Sequence, residues 1–232
     1  MSKDRLAGRR ALVTGVGRAI GPAIVRRFAE CGAQVAAANR TLSAAQVVVD
    51  SVQQQGLSAI ALPLDLEGPD GAARAVEAAA DQLGGLDIVV HNAGGCPWSR
   101  LETLEESDLE MTLSINLKAC FRLVKAALPW LRESGRGRFL VTSSVTGPRV
   151  AMPGAVHYGA AKGGVNAFVR GAALELAGDG ITVNAVEPGY VAKSDGFLAD
   201  PDQRRRIEQF IPLGTLGEPD DIAWAMVYLA SD

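Results

Sequence analysis

Six short runs of small and β-branched residues, separated by longer amphipathic stretches, constrain this chain more than any other feature. The runs fall at 10–14, 34–39, 60–65, 87–92, 138–143 and 181–187. Three of them, Ala11-Leu12-Val13, Ile88-Val89-Val90 and Phe139-Leu140-Val141, are continuously apolar, as strands buried on both faces must be. Gly32, Gly56, Gly84-Gly85 and Gly135-Gly137 stand where the intervening helices should stop. Strict strand–helix alternation predicts an α/β fold with a doubly wound parallel sheet and helices on both faces. No repeat, low-complexity tract or linker interrupts it, so residues 1–232 read as one domain. The stretch from Tyr190 to Arg204 is the least regular and reads as a loop leading into a helix, a substrate loop over about 190–210.

Composition removes several function classes. With a net charge of −3, the chain lacks the basic excess of a nucleic-acid partner. Arg204, Arg205 and Arg206 are three charges on a solvated helix face. The N-terminus lacks the apolar core of a secretory leader, and no apolar run reaches the roughly 18–20 residues of a membrane span. A cytoplasmic protein is expected. Cys31, Cys96 and Cys120 are widely spaced, without a CxxC pair or a nearby histidine pair, so neither a metal site nor a disulfide framework is expected.

The first strand runs straight into Thr14-Gly15-Val16-Gly17-Arg18-Ala19-Ile20-Gly21, with a helix expected from about Pro22. Glycines there let the backbone turn tightly and approach a pyrophosphate, whose charge then rests on free helix N–H groups. The spacing departs from GxGxxG, because Ile20 stands where a third glycine would fall. The second strand ends Ala38-Asn39-Arg40, and no carboxylate follows until Asp50. An acid at that place would bind the ribose 2′-hydroxyl of NAD and repel the 2′-phosphate of NADP. Arg40 and Arg18 instead suit the phosphate. The pattern therefore predicts NADP over NAD.

Tyr158 and Lys162 lie four apart, on one helix face. An ammonium beside the phenol should favour the tyrosinate, which can exchange a proton with an alcohol while hydride moves to or from a nicotinamide. Gly159, Ala160, Ala161, Gly163 and Gly164 leave room for close approach. Upstream, Thr142-Ser143-Ser144 puts hydroxyls at the C-terminal edge of the sheet, where such folds bind ligands.

With these motifs in order, the chain resembles the short-chain dehydrogenases/reductases, including their 3-oxoacyl-carrier-protein reductases. Thr14 to Gly21 satisfies the family's TGxxx(A/G)xG, with Ala19 at a position more often glycine, and Tyr158/Lys162 its Tyr-x-x-x-Lys. The resemblance covers about residues 6–232 and implies a Rossmann-type sheet. It puts the catalytic serine on Ser144, with Ser143 the competitor by spacing. Asn116 falls on the family's structural asparagine, which bends a helix and holds a water continuing the proton relay from Lys162. Asp65-Leu66 is implied to contact the adenine. Asn92-Ala93-Gly94, Pro188-Gly189 and Val191 match further cofactor-binding stretches, and Lys162 is implied to bind the nicotinamide ribose as well as to lower the tyrosine pKa.

Four features depart from the family pattern. His91 replaces the first asparagine of Asn-Asn-Ala-Gly and is expected to alter turn hydrogen bonds rather than chemistry. Lys193 stands where a threonine usually meets the carboxamide, with Ser194 as a substitute. His157, before the tyrosine, reads as pocket lining or surface. Relatives continue past Asp232 into one more strand, so a sheet lacking that strand is expected, with one edge exposed.

The expected activity is hydride transfer between NADP(H) and a carbonyl or secondary alcohol, with carbonyl reduction as the cellular direction. An NAD-dependent alcohol dehydrogenase of the same fold and a non-catalytic dinucleotide sensor are the alternatives. Cys96, Pro97, Trp98, Met152, Val156, Tyr190 and Phe197 read as an apolar substrate pocket. The family usually forms tetramers through helices here near 105–133 and 157–177. Leu109, Leu113, Leu117, Phe121 and Val124 form a stripe there that fits a homo-oligomer contact or plain core burial.

Overall fold

The computed structural model describes residues 4–193 and 196–232, with backbone alone at 196 and 197. Ser194 thus lies outside the described residues, as does the side chain of Phe197. Strands β1 (Arg10–Thr14) and β2 (Gln34–Asn39) run as the sequence indicates. β3 (Ala59–Pro63), β4 (Ile88–His91), β5 (Arg138–Thr142) and β6 (Thr182–Val186) shift by two residues or fewer. All pairings are parallel, in the order β3-β2-β1-β4-β5-β6. The winding reverses between β1 and β4, opening a crevice at the strands' C-terminal ends.

Successive strand residues face opposite sides, and both sides are covered. Leu12, Val89 and Phe139 pack with buried residues of α3 (Gly71–Leu83), α5 (Ala119–Ser134) and α6 (Val156–Leu176). Ala11, Val13, Ile88 and Val90 pack with α1 (Ile20–Glu30), α2 (Leu42–Gln53) and α8 (Pro219–Ala230). That double burial is why these strands carry no polar alternation. Gly84 and Gly135 end α3 and α5 in left-handed conformations, φ 72° and 65°.

Three local expectations need correction. Helix α1 starts at Ile20 rather than near Pro22. Pro22 still sits in the first turn, where its missing N–H breaks no intrahelical bond. Within the stretch read as a loop, a 3₁₀ turn occupies Gly196–Ala199 and α7 (Pro201–Glu208) begins, its first N–H groups accepted by the Asp200 carboxylate. The apolar stripe is not core throughout: Val124 is buried, Leu109, Leu113 and Leu117 are half-buried, and Phe121 is 55% exposed.

Between α4 (Glu106–Leu113) and α5 the backbone widens into a π-helical turn, Ser114–Lys118. Asn116 sits at its middle, so the expected helix distortion takes this form. The Asn116 Nδ2 group donates to the carbonyls of Thr112 (2.9 Å) and Gly95 (2.8 Å), fastening the turn to the loop after β4. Among the described residues no helix is long and apolar enough to cross a membrane.

Candidate active site

A cleft of 1160 Å³ runs along the C-terminal ends of β1 to β6, from the turn after β1 to the start of α6. At one end the Gly15 backbone passes so close to the loop after β4 that a Cβ there would lie 2.4 Å from Ala93 Cα. A Cβ on Gly21 would lie 2.3 Å from the Gly15 carbonyl oxygen. Gly21 therefore serves helix–turn packing and does not face the cleft, whereas Gly15, Gly17, Arg18, Ala19 and Ile20 line it. Ala19 carries the one positive φ (52°) of a described non-glycine residue, which explains why glycine is commoner there.

The strand ends are stitched together behind this turn. Thr14 Oγ1 accepts the N–H groups of Asn92 and Ala93, both at 3.2 Å. Asn92 Nδ2 donates to the Gly15 carbonyl (2.9 Å) and its Oδ1 accepts the Thr142 hydroxyl (2.9 Å). His91 completes the lattice: Nε2 meets the Ile115 carbonyl at 3.1 Å and Nδ1 meets Thr14 Oγ1 at 3.2 Å. A carbonyl only accepts, so Nε2 carries the proton and Nδ1 takes that of Thr14. The departure at His91 thus holds the π-turn to β4, and burial drives its pKa down to about 3.

That depression has a measurable consequence. As pH falls below the ordinary 6.5, the unfolded chain takes up a proton that folded His91 refuses, so stability declines toward pH 3. The loss should reach about 2 kcal/mol by pH 5. His91→Asn should show a shallower decline between pH 7 and pH 5 in urea unfolding. Equal declines in both proteins would remove His91 from the acid response.

At the other end, β5 with the residues after it and α6 bring three side chains together, Ser144, Tyr158 and Lys162. Lys162, 3% exposed, donates from Nζ to the Thr142 carbonyl at 2.8 Å and lies 5.5 Å from the Tyr158 ring centroid. Burial lowers its pKa to about 8. Burial also pushes the Tyr158 phenol above its usual value, opposed in part by a hydrogen bond with Ser144. Desolvation of the phenol outweighs that hydrogen bond, so burial favours the neutral phenol over the expected tyrosinate.

Ser143 and Ser144 both line the cleft and differ in their hydrogen-bond partners. Ser144 lies in the cleft beside Tyr158, its Oγ accepting the Thr146 N–H at 3.1 Å. Ser143 Oγ turns to Asn166 Oδ1 at 2.7 Å, in a chain continuing through Glu187 to Arg149. Asn116 is buried behind Gly94, where a Cβ would lie 2.8 Å from Asn116 Oδ1 and 3.7 Å from Lys162 Nζ. Asn116 Oδ1 has no hydrogen-bond partner among the described residues.

Asn39, Arg40, Asp65, Leu66, Asn92, Ala93, Gly94, Pro188, Gly189 and Val191 all line the cleft. Arg40 is exposed there and paired with Glu67, Nη1 to Oε1 2.9 Å. Sequence reading missed Glu67; the available signal was a carboxylate two residues after Asp65, beyond the third strand. It also missed the Thr142 carbonyl, since a backbone acceptor leaves no trace in side-chain identity.

Of the residues read as substrate pocket, Cys96, Trp98, Met152 and Tyr190 line the cleft. Val156 is 51% exposed, and Pro97 offers its carbonyl to His157 Nε2 at 2.9 Å. His157 is only 2% exposed, so it is neither surface nor lining but a tether for the loop carrying Cys96. Lys193 lines the cleft.

The family model described as enoyl-(acyl carrier protein) reductase matches residues 15–232. The chain belongs to the short-chain dehydrogenase/reductase family. This short-chain dehydrogenase/reductase is 35% identical to a 3-oxoacyl-[acyl-carrier-protein] reductase of Vibrio cholerae over 97% of its own length and 91% of that protein's. It is 33% identical to the L-rhamnose 1-dehydrogenase (NAD(P)(+)) of Azotobacter vinelandii, covering 98% and 91%. A short chain dehydrogenase of Burkholderia cenocepacia, solved in complex with NADP, superposes with a TM-score of 0.90 at 36% identity, covering 98% and 92%. The protein is accordingly an NAD(P)-dependent oxidoreductase acting on carbonyl or alcohol substrates.

Proposed function

We propose that the protein interconverts a ketone and a secondary alcohol using NADP(H), chiefly as a reductase. The observation that carries this reading is the convergence of Ser144, Tyr158 and Lys162 on one cleft whose far end holds Arg40. The residues fit a dinucleotide: Gly15 to Ile20 offer backbone N–H groups for the pyrophosphate, and Asp65 and Leu66 flank the adenosine end. Arg40 and Arg18 would hold the 2′-phosphate, and Lys162 the nicotinamide ribose. When bound, the nicotinamide supplies the hydride in reduction and takes it in oxidation.

The chain's own groups orient the substrate and move its proton. Ser144 holds the substrate oxygen by a hydrogen bond and stabilises charge developing on it. Tyr158 Oη gives that oxygen a proton in reduction and takes one in oxidation. A phenol kept protonated by burial suits reduction near neutral pH. Lys162 passes a replacement proton toward Tyr158, and the unpaired Oδ1 of Asn116 is free to accept a hydrogen bond from a water that continues the relay. Phe121 and Leu174, 55% and 82% exposed on α5 and α6, support association of two or more copies through those helices. Three free cysteines agree with a cytoplasmic setting.

A second reading keeps the chemistry but prefers NAD(H), because the Arg40 guanidinium already has a carboxylate partner. Titration of NADPH and NADH, followed by quenching of tryptophan fluorescence, separates the two. Arg40→Gln should weaken NADPH binding about ten-fold, roughly 1.4 kcal/mol, and leave NADH binding nearly unchanged. Unchanged NADPH affinity would favour the NAD(H) reading.

A further inference from the structure

We infer that Glu67 is a specificity-determining residue, its pairing with Arg40 limiting the preference for NADP(H) over NAD(H). This rests on the reading in which Arg40 holds the 2′-phosphate, and it adds a residue with the opposite effect at the same place.

Glu67 follows the Asp65-Leu66 pair in the loop between β3 and α3 and lines the cleft with Arg40. Its backbone is held from three directions. The N–H donates to Asp65 Oδ1 at 3.0 Å, and the carbonyl accepts the Ser114 hydroxyl at 3.0 Å. Arg122 Nη1 donates to the neighbouring carbonyls of Leu66 (3.2 Å) and Gly68 (3.3 Å) and to Ser114 Oγ (3.0 Å). The loop is thus pinned to the π-turn, while the carboxylate projects to the rim and meets Arg40 at 2.9 Å.

A carboxylate held near the guanidinium by this pinned backbone acts in two ways, both unfavourable to a phosphate. It occupies part of the donor edge that a 2′-phosphate would use, and it adds a like charge beside the dianion. A ribose 2′-hydroxyl carries no charge, so NAD(H) escapes both penalties. The pair is exposed on both sides (74% and 47%), hence weak enough to exchange partners when a phosphate arrives. The outcome is a graded preference, set by the contest of Glu67 and phosphate for one arginine.

The test is a double-mutant cycle of Glu67→Gln and Arg40→Gln, read as dissociation constants for NADPH and NADH by fluorescence quenching. Trp98 in the cleft wall supplies a reporter. Glu67→Gln should tighten NADPH binding about three- to ten-fold and change NADH binding less than about two-fold. Most of that gain should vanish in the Arg40→Gln background. If Arg40→Gln weakens NADPH binding but Glu67→Gln leaves the NADPH:NADH ratio unchanged, the role of Glu67 is overturned while that of Arg40 stands. If the gain persists undiminished without Arg40, the route through the pair is overturned. If Arg40→Gln itself leaves NADPH binding unchanged, the underlying phosphate reading fails first.

Discussion

Tyr158→Phe should lower turnover of any ketone the protein reduces by about a hundred- to ten-thousand-fold, with NADPH affinity within about two-fold of wild type. The substitution removes one hydroxyl from a half-buried ring and leaves the glycine turn, Arg40 and Lys162 in place. Ser144 loses the Tyr158 hydroxyl but keeps the Thr146 N–H and would still be able to bind the substrate oxygen. The proton would then have to come from water or from Lys162 Nζ, already bound to the Thr142 carbonyl. A second signature follows from the upward displacement of the phenol. Reduction needs the protonated form and should hold its rate through neutral pH, whereas oxidation needs the tyrosinate and should rise with pH. A Tyr158→Phe protein with wild-type turnover would contradict the assignment.

Lys162→Met should abolish turnover and yet make the protein more stable at neutral pH. An ammonium buried to this degree is disfavoured by desolvation, which is why its pKa falls from 10.5 to about 8. That displacement corresponds to about 3 kcal/mol, and methionine of similar length carries no charge to desolvate. At about 2–4 °C per kcal/mol for a chain of this size, Tm should rise by roughly 6–12 °C, less whatever the lost bond to Thr142 contributed. The advantage of the variant fades with pH in a defined window. From pH 8 toward 10.5 the folded lysine gives up its proton while the unfolded one keeps it, so wild type gains stability and the Tm gap closes. Thermal melts of both proteins at pH 7 and pH 9.5 measure this. A variant less stable at both pH values would show that the ammonium, through the Thr142 carbonyl, is a net structural asset.

These two residues also show what a sequence reveals and what it conceals. The i,i+4 spacing of Tyr158 and Lys162 was legible because helix geometry is local, and β1 and β2 were legible to the residue because both faces are buried. The direction of the Tyr158 displacement was not legible, since it depends on how deeply α6 sets the phenol against β5. Ser143 and Ser144 could not be separated by spacing; what separates them is Asn166, a partner 23 positions away on α6. His157 looked peripheral because its anchor, the Pro97 carbonyl, lies 60 positions back in the chain. Glu67 escaped notice for a related reason: Ser114 and Arg122, far along the chain, hold its loop against the π-turn. Contacts within a helix turn could be read, and contacts between loops could not.

The most direct test of the central claim is deuterium transfer. NADPH carrying deuterium at C4 of the dihydronicotinamide, on the face that transfers, would be incubated with the protein and a panel of short 3-oxoacyl thioesters, simple ketones and sugar lactones. Products would then be read by mass spectrometry. The account predicts deuterium on the carbinol carbon of at least one product, and its loss in Tyr158→Phe. Tight NADPH binding with no deuterated alcohol from any member of the panel would contradict it, and would describe a protein that senses the dinucleotide without turning it over.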